Sequence, residues 1–151
     1  MTDSSVHLII PRIYLGDHRA ASNKKWLKEK NITVVFNCTK HLPFDASIKH
    51  RYRVPVDDSL MEEDLKKMGI WSFEIIYKLW KEYQSGANIL IHCHAGRQRS
   101  AAVVAMFLMF LTKKSLPQVM EFIRSKRSVA FYPMPNFYKS MLFYEKILKS
   151  S

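Results

Sequence analysis

The chain has 151 residues and carries 24 Lys plus Arg against 13 Asp plus Glu, a formal charge of +11. Hydrophobic residues make up 48% and charged residues 25%, which excludes disordered and collagenous chains and predicts one globular domain over 1–151 with an anionic partner. Two cysteines are too few for a disulfide scaffold and suit a reducing compartment, and the longest apolar run, 101–111, is too short to cross a bilayer.

In chain order, the opening MTDSSVHLIIPR has no basic stretch followed by a long apolar one, so no secretory signal is expected. Residues 8–10 and 13–15 read as short strands at a sheet edge, separated by Pro11. Ser22 is expected to cap a short helix through Lys30. Residues 32–37 (ITVVFN) are a β-branched apolar run, as a strand buried on both faces should be, and 51–56 is a neighbouring strand. A helix is predicted from about Met61 to Tyr83. Ser59 and Glu62 have capping-box spacing at its start, Gly86 lies just past its end, and Gly69 is a point of interruption. Trp71, Phe73, Ile76 and Trp80 on that helix are read as core. Residues 88–92 (NILIH) form another buried strand, followed by a polar loop and an apolar helix over 100–112. Ser115 and Gln118 repeat the capping-box spacing before a helix ending near Lys126, and 136–148 gives a last amphipathic helix. Buried strands alternating with helices predict an α/β layered domain.

The chemistry concentrates in His92-Cys93-His94-Ala95-Gly96-Arg97-Gln98-Arg99-Ser100. A buried strand ends in a cysteine, five residues follow, and an arginine opens an apolar helix. The N–H groups of such a loop converge on a tetrahedral anion, and the helix adds its positive end. Gly96 supplies backbone freedom, and Arg99 can grip two phosphate oxygens with its planar fork. The same field favours the thiolate of Cys93, a nucleophile placed under a bound phosphoryl group. Zinc is not expected, because His92, Cys93 and His94 are consecutive and no second ligand pair has zinc spacing.

HCHAGRQRS resembles the Cys-x5-Arg-Ser/Thr signature of the cysteine-based protein tyrosine phosphatase superfamily, and within it the small atypical dual-specificity phosphatases. IPRIYLG at 10–16, VPVDD at 54–58 and PNF at 135–137 are similar to further family segments in the same order. The resemblance implies a central mixed, mostly parallel sheet flanked by helices, with no cofactor. It also implies catalysis through a phosphocysteine on Cys93, with Arg99 and the amides of His94, Ala95, Gly96, Arg97 and Gln98 holding the phosphoryl oxygens. Ser100 would stabilise the departing thiolate, His92 would orient the loop and tune the thiolate, and Asn136 would support the site. An aspartate would act as general acid and then base. The register of the VPVDD segment favours Asp58 over Asp57, whose side chain would point the other way in an extended segment.

The substrates implied are proteins carrying phosphotyrosine and phosphoserine or phosphothreonine, handled by a cytoplasmic or nuclear monomer without membrane insertion. His94 and Arg97 add cations to the cradle and leave phosphoinositides, other polyanions or RNA 5′-phosphates as alternative substrates, with a catalytically silent phospho-binding module as a third reading. Cys38 reads as a small core residue, the alternative being a reversible disulfide with Cys93.

Overall fold

A computed structural model describes residues 5–150. Five strands form one sheet in the order β1-β2-β5-β3-β4: β1 Val6–Ile10, β2 Ile13–Gly16, β3 Ile32–Asn37, β4 His50–Arg53 and β5 Asn88–His92. β1 and β2 are an antiparallel hairpin turned at Pro11 and Arg12, and every other pairing is parallel. The sheet is therefore mixed and mostly parallel, as the family resemblance implied.

The apolar runs explain the central strands. β5 lies between β2 and β3, and Ile89, Leu90 and Ile91 are fully buried. Ile89 and Ile91 enter the large core on one face of the sheet, while Leu90 joins Leu27, Ile32, Val35 and Ile48 on the other. Such a strand has no polar face, which is why it reads as an unbroken apolar run.

The helices divide between those faces. The small α1 (His18–Ala21) and α2 (Lys24–Glu29) cover one. The other carries α3 (Glu62–Gln84), α4 (Arg99–Thr112), α5 (Leu116–Lys126) and α6 (Tyr138–Ser150). α4 is the central pillar, with Ala101 to Met109 all 0–2% exposed, so its apolar residues run all round the helix.

Some local expectations change. Ser22 does not open a helix. Asp17 caps α1 through the N–H groups of Arg19 and Ala20, and Asn23 caps α2 through Trp26, because each presents its oxygen at the correct turn. The strand expected over 51–56 pairs only as far as Arg53. Ser59 makes no capping box; its hydroxyl donates to Asp64 Oδ2 at 2.8 Å and α3 begins after Met61 without a side-chain cap. Gly69 leaves α3 unbroken and lies where an added Cβ would touch Phe143 of α6 at 3.5 Å. Ile76 is buried and Trp71 and Trp80 pack partly against the core, but Phe73 is 40% exposed on the outer side of Tyr144. The capping box of Ser115 and Gln118 is formed as read.

Candidate active site

The end of β5 fixes where the chemistry sits. Because β5 is hydrogen-bonded on both edges, the chain leaving His92 emerges between β2 and β3 and must turn at once into α4. The turn is residues 93–98. Gly96 has φ +67°, and a Cβ there would lie 2.6 Å from Gly16 O and 2.7 Å from Arg127 Nη2, so both conformation and space demand glycine.

Arg127 is the brace behind this loop. It is 1% exposed, and it donates from Nε to Gly96 O (2.8 Å) and from Nη2 to Ala95 O (3.2 Å). Holding those carbonyls to the rear turns the amide N–H groups that follow them to the opposite side, into the loop's concave face. Among the described residues, the N–H groups of 94–98 donate to no protein acceptor. The N-cap of α4 is Gln98, whose side chain makes no bond to the helix's own amides. A serine or aspartate there would occupy them; glutamine leaves them for an anion.

Cys93 lies at the base, 2% exposed, with Sγ 3.1 Å from the fully buried Ser100 Oγ. Arg99 reaches across the cleft and donates from Nη1 to Val56 O at 3.1 Å. Its Nε is buried and meets no protein acceptor among the described residues, which suits an arginine whose remaining edge serves an oxyanion. His92 is fully buried, and its Nδ1 lies 3.4 Å from Cys93 O. Burial pulls its pKa down to about 4, so at neutral pH the ring beneath the loop is neutral and brings no positive charge to the thiolate. His94, Ala95 and Arg97 form the exposed rim.

The acid-bearing segment forms the opposite wall. The carboxylates of Asp57 and Asp58 point apart: Asp57 Oδ2 pairs with Lys40 Nζ at 2.9 Å, and Asp58 Oδ1 accepts from Asn136 Nδ2 at 2.8 Å. Asp64, nearly buried at the start of α3, accepts from Asp57 N (3.1 Å) and from Ser59 Oγ (2.8 Å) and pins the segment from behind. Those bonds hold the Asp64 carboxyl below its ordinary pKa, Ser59 contributing most.

Cys38 follows β3 and donates its N–H to His92 O at 2.8 Å. Both thiols are free, and burial, then the negative field of Cys93, push the Cys38 thiol well up. Among the described residues, no group of three His, Cys, Asp or Glu side chains is placed to hold a metal ion.

Arg127 and Asp64 were not singled out from the sequence. Arg127 acts on a loop 31 residues away, and Asp64 on a loop five to seven residues before it that has no regular structure to give a period. The only local signal is a charged residue beside an apolar helical stripe, which resembles an ordinary solvated position.

The family model described as "Dual specificity phosphatase, catalytic domain" matches residues 13–147. Human dual specificity protein phosphatase 16 is 33% identical over 144 residues, covering 94% of this chain and 21% of that protein. Xenopus laevis dual specificity protein phosphatase 1-A is 31% identical over 130 residues, covering 85% of this chain and 33% of its own length. The chain thus spans a fifth to a third of the length of these curated relatives. The crystal structure of human DUSP28 superposes with a TM-score of 0.85 at 27% identity, covering 98% of this chain and 97% of that one. The human tyrosine phosphatase-like serine/threonine/tyrosine-interacting protein shares the fold, with a TM-score of 0.78 at 20% identity over 96% of this chain and 98% of that one. A thiol and an arginine around an uncapped helix terminus, set in a fold and sequence of this kind, place the chain in the dual specificity phosphatase catalytic domain family.

Proposed function

We propose that this domain hydrolyses phosphotyrosine and phosphoserine or phosphothreonine on proteins through a phosphocysteine intermediate, in a reducing intracellular compartment. The observation that carries the reading is the pairing of Cys93 Sγ with Ser100 Oγ at 3.1 Å beneath a loop whose amides, together with the buried Arg99 Nε, have no protein acceptor among the described residues. That is a nucleophile under an oxyanion cradle.

In the first step Cys93 Sγ bonds to phosphorus and the bond from phosphorus to the substrate oxygen breaks. Asp58 gives that oxygen its proton, so the leaving group departs neutral. In the second, water attacks the phosphocysteine, Asp58 takes its proton, and the sulfur leaves as a thiolate that Ser100 Oγ stabilises by donating a hydrogen bond. Arg99 and the amides of 94–99 carry the phosphoryl charge throughout. The two carboxylates support assigning the acid to Asp58, since Asp57 is turned to Lys40. The exposed rim of His94, Ala95 and Arg97 supports a shallow cleft that admits short phosphorylated side chains as well as phosphotyrosine.

One observation supports a finer reading of the substrate. A cavity of about 240 Å³ opens beside the cradle, lined by His18, Arg19, His94, Arg97 and Arg127. The rings of His18 and His94 stack at 4.5 Å, and Arg19 is paired with Asp17 at 2.8 Å. Arg97, exposed on this rim, is suited to a second acidic group near the phosphorylated residue.

Turnover on phosphotyrosine and phosphothreonine peptides, phosphoinositides and triphosphorylated RNA, with Cys93→Ser as control, tests the proposal. Phosphopeptide hydrolysis lost in the control supports it. Rapid cleavage of a phosphoinositide with phosphopeptides untouched would replace the protein substrate by a lipid one, and no turnover on any substrate would leave a phospho-binding module.

A further inference from the structure

The acid on one wall of the cleft and the phosphate clamp on the other are joined through a side chain that the reaction itself does not use. Gln98 is 5% exposed and sits in the phosphate loop immediately before Arg99. Its side chain turns away from the cradle. Nε2 donates to Tyr132 O (3.0 Å) and to Met134 O (2.8 Å), and Oε1 accepts from Asn136 N (2.9 Å). Both Nε2 protons and the carbonyl oxygen are engaged, so the amide is fully used within one short loop. Asn136 in turn donates from Nδ2 to Asp58 Oδ1 at 2.8 Å.

We infer that Gln98 is a positioning residue for the general acid: it fixes the loop 132–136 so that Asn136 presents its amide to Asp58. This rests on the phosphatase reading above. Several features argue for the role. Asp58 is exposed, and its carboxylate has few other restraints, whereas Gln98 is buried with its side-chain amide bonded at both ends. Glutamine is a poor N-cap, and here it forgoes the helix's amides altogether in favour of a loop more than thirty residues away. The side chain must be long enough to span that gap and must carry both donors and an acceptor, a combination that serine or aspartate cannot supply. Gln98 and Arg99 then act as consecutive tethers. Arg99 holds the acid segment directly at Val56 O, and Gln98 holds it indirectly through Asn136. The spacing between acid and phosphate clamp is thereby set by two adjacent residues of one loop, and small errors in such spacing cost rate steeply.

The test compares wild type and Gln98→Ala on aryl phosphates graded from dinitrophenyl to phenyl leaving groups, read as kcat/KM, which reports phosphocysteine formation. An acidic phenol leaves without a proton; phenol itself needs one. The expected result is a loss of about ten- to a hundredfold on phenyl phosphate with less than about a threefold loss on the dinitrophenyl ester. In an Asp58→Asn background Gln98→Ala should add no further loss. Tungstate affinity should stay within about threefold of wild type, because the cradle's amides and Arg99 are unchanged. An equal loss across the whole series, or a matching loss of tungstate affinity, would overturn the inference and make Gln98 a structural part of the cradle. A second readout does not depend on turnover. The Asn136 side-chain amide resonances should follow Asp58 ionisation in wild type and cease to do so in Gln98→Ala; persistence of that coupling would refute the role. Absence of wild-type hydrolysis on every ester would count against the phosphatase reading, and the resonance measurement would still decide the part Gln98 plays.

Discussion

The two walls of the cleft are built on different physical terms. The cradle wall grows out of the core: Cys93, Gly96, Gln98 and Ser100 are all buried, and β5 and α4 on either side of them are largely buried too. The acid wall is a loop beyond the end of β4, with Asp58, Ser59 and Leu60 exposed, restrained by a few polar contacts from Arg99, Asn136 and Asp64. An anion site works by having its donors fixed before the anion arrives, which favours burial. A proton donor must reach different leaving groups and then meet water, which favours exposure. The contrast predicts that substituting the cradle's anion donors acts on binding and chemistry together, whereas substitutions in the acid wall, or in the side chains that tether it, act on the proton alone.

The largest effect should come from the nucleophile. Cys93→Ser is expected to lower turnover by at least about 10⁴-fold. Oxyanion binding, measured with tungstate by calorimetry, should persist, because the amides and Arg99 remain. Significant residual turnover would mean that sulfur is not the attacking atom. Arg99→Lys comes next, at about 10²–10³-fold. An ammonium cannot hold a phosphoryl oxygen pair and Val56 O together, so this variant should lose tungstate affinity as well, the mark of a cradle residue.

Asp58→Ala breaks the comparison from the other side. It should lower kcat/KM on phosphotyrosine peptides by about a hundredfold or more, with tungstate affinity unchanged, and remove the basic limb of the pH–rate profile. If Asp57→Ala shows that pattern and Asp58→Ala does not, the assignment reverses.

What could be read from the sequence follows the same division. The cradle wall was legible because its backbone demands leave local traces. A strand buried on both faces is an unbroken apolar run, a helix buried all round is another, and glycine between them marks the turn. β3 and β5 fall at the residues expected from that pattern. The acid wall leaves fainter traces. Ser59 has the spacing of a capping residue with Glu62, yet its hydroxyl goes to Asp64, a partner that only the fold of the loop reveals. Ser22 lost its expected helix start to Asp17 and Asn23, since several capping residues lie within one short stretch and only geometry selects among them. Gln98 and Arg127 act through residues about thirty positions away, where no periodicity can point.

The cradle's burial also has a cost in acid. His92, beneath the loop, titrates near 4 when folded against an ordinary 6.5, burial being the cause. Above the unfolded value both states hold a neutral ring and the group contributes no pH dependence. As the pH falls from about 6.5 the unfolded chain takes up a proton that the folded one refuses, so stability is lost until the folded ring also titrates near 4. Between pH 7 and pH 4.5 this amounts to about 2–3 kcal/mol. Asp45 and Asp64 also titrate below their ordinary values and lose stability in the same direction, so the quantity to measure is a difference. Urea denaturation of wild type and His92→Gln at the two pH values should show a shallower loss in the variant; equal losses would mean that His92 is charged in the fold.

The smallest effect is expected where the acid wall touches solvent. Lys40 Nζ lies 2.9 Å from Asp57 Oδ2, and both side chains are substantially exposed, at 33% and 48%. Pairs of this kind contribute little and are screened by salt. Lys40→Met should therefore change phosphopeptide kcat/KM by less than about threefold, with the same salt dependence as wild type. A much larger loss would show that Asp57 must be held aside for Asp58 to work, since the two carboxylates are neighbours and a released Asp57 could compete for Asn136. It would then make the outer face of the acid wall as demanding as the cradle. The small change expected here says instead that the acid is placed from within, by the tethers that run back to the phosphate loop.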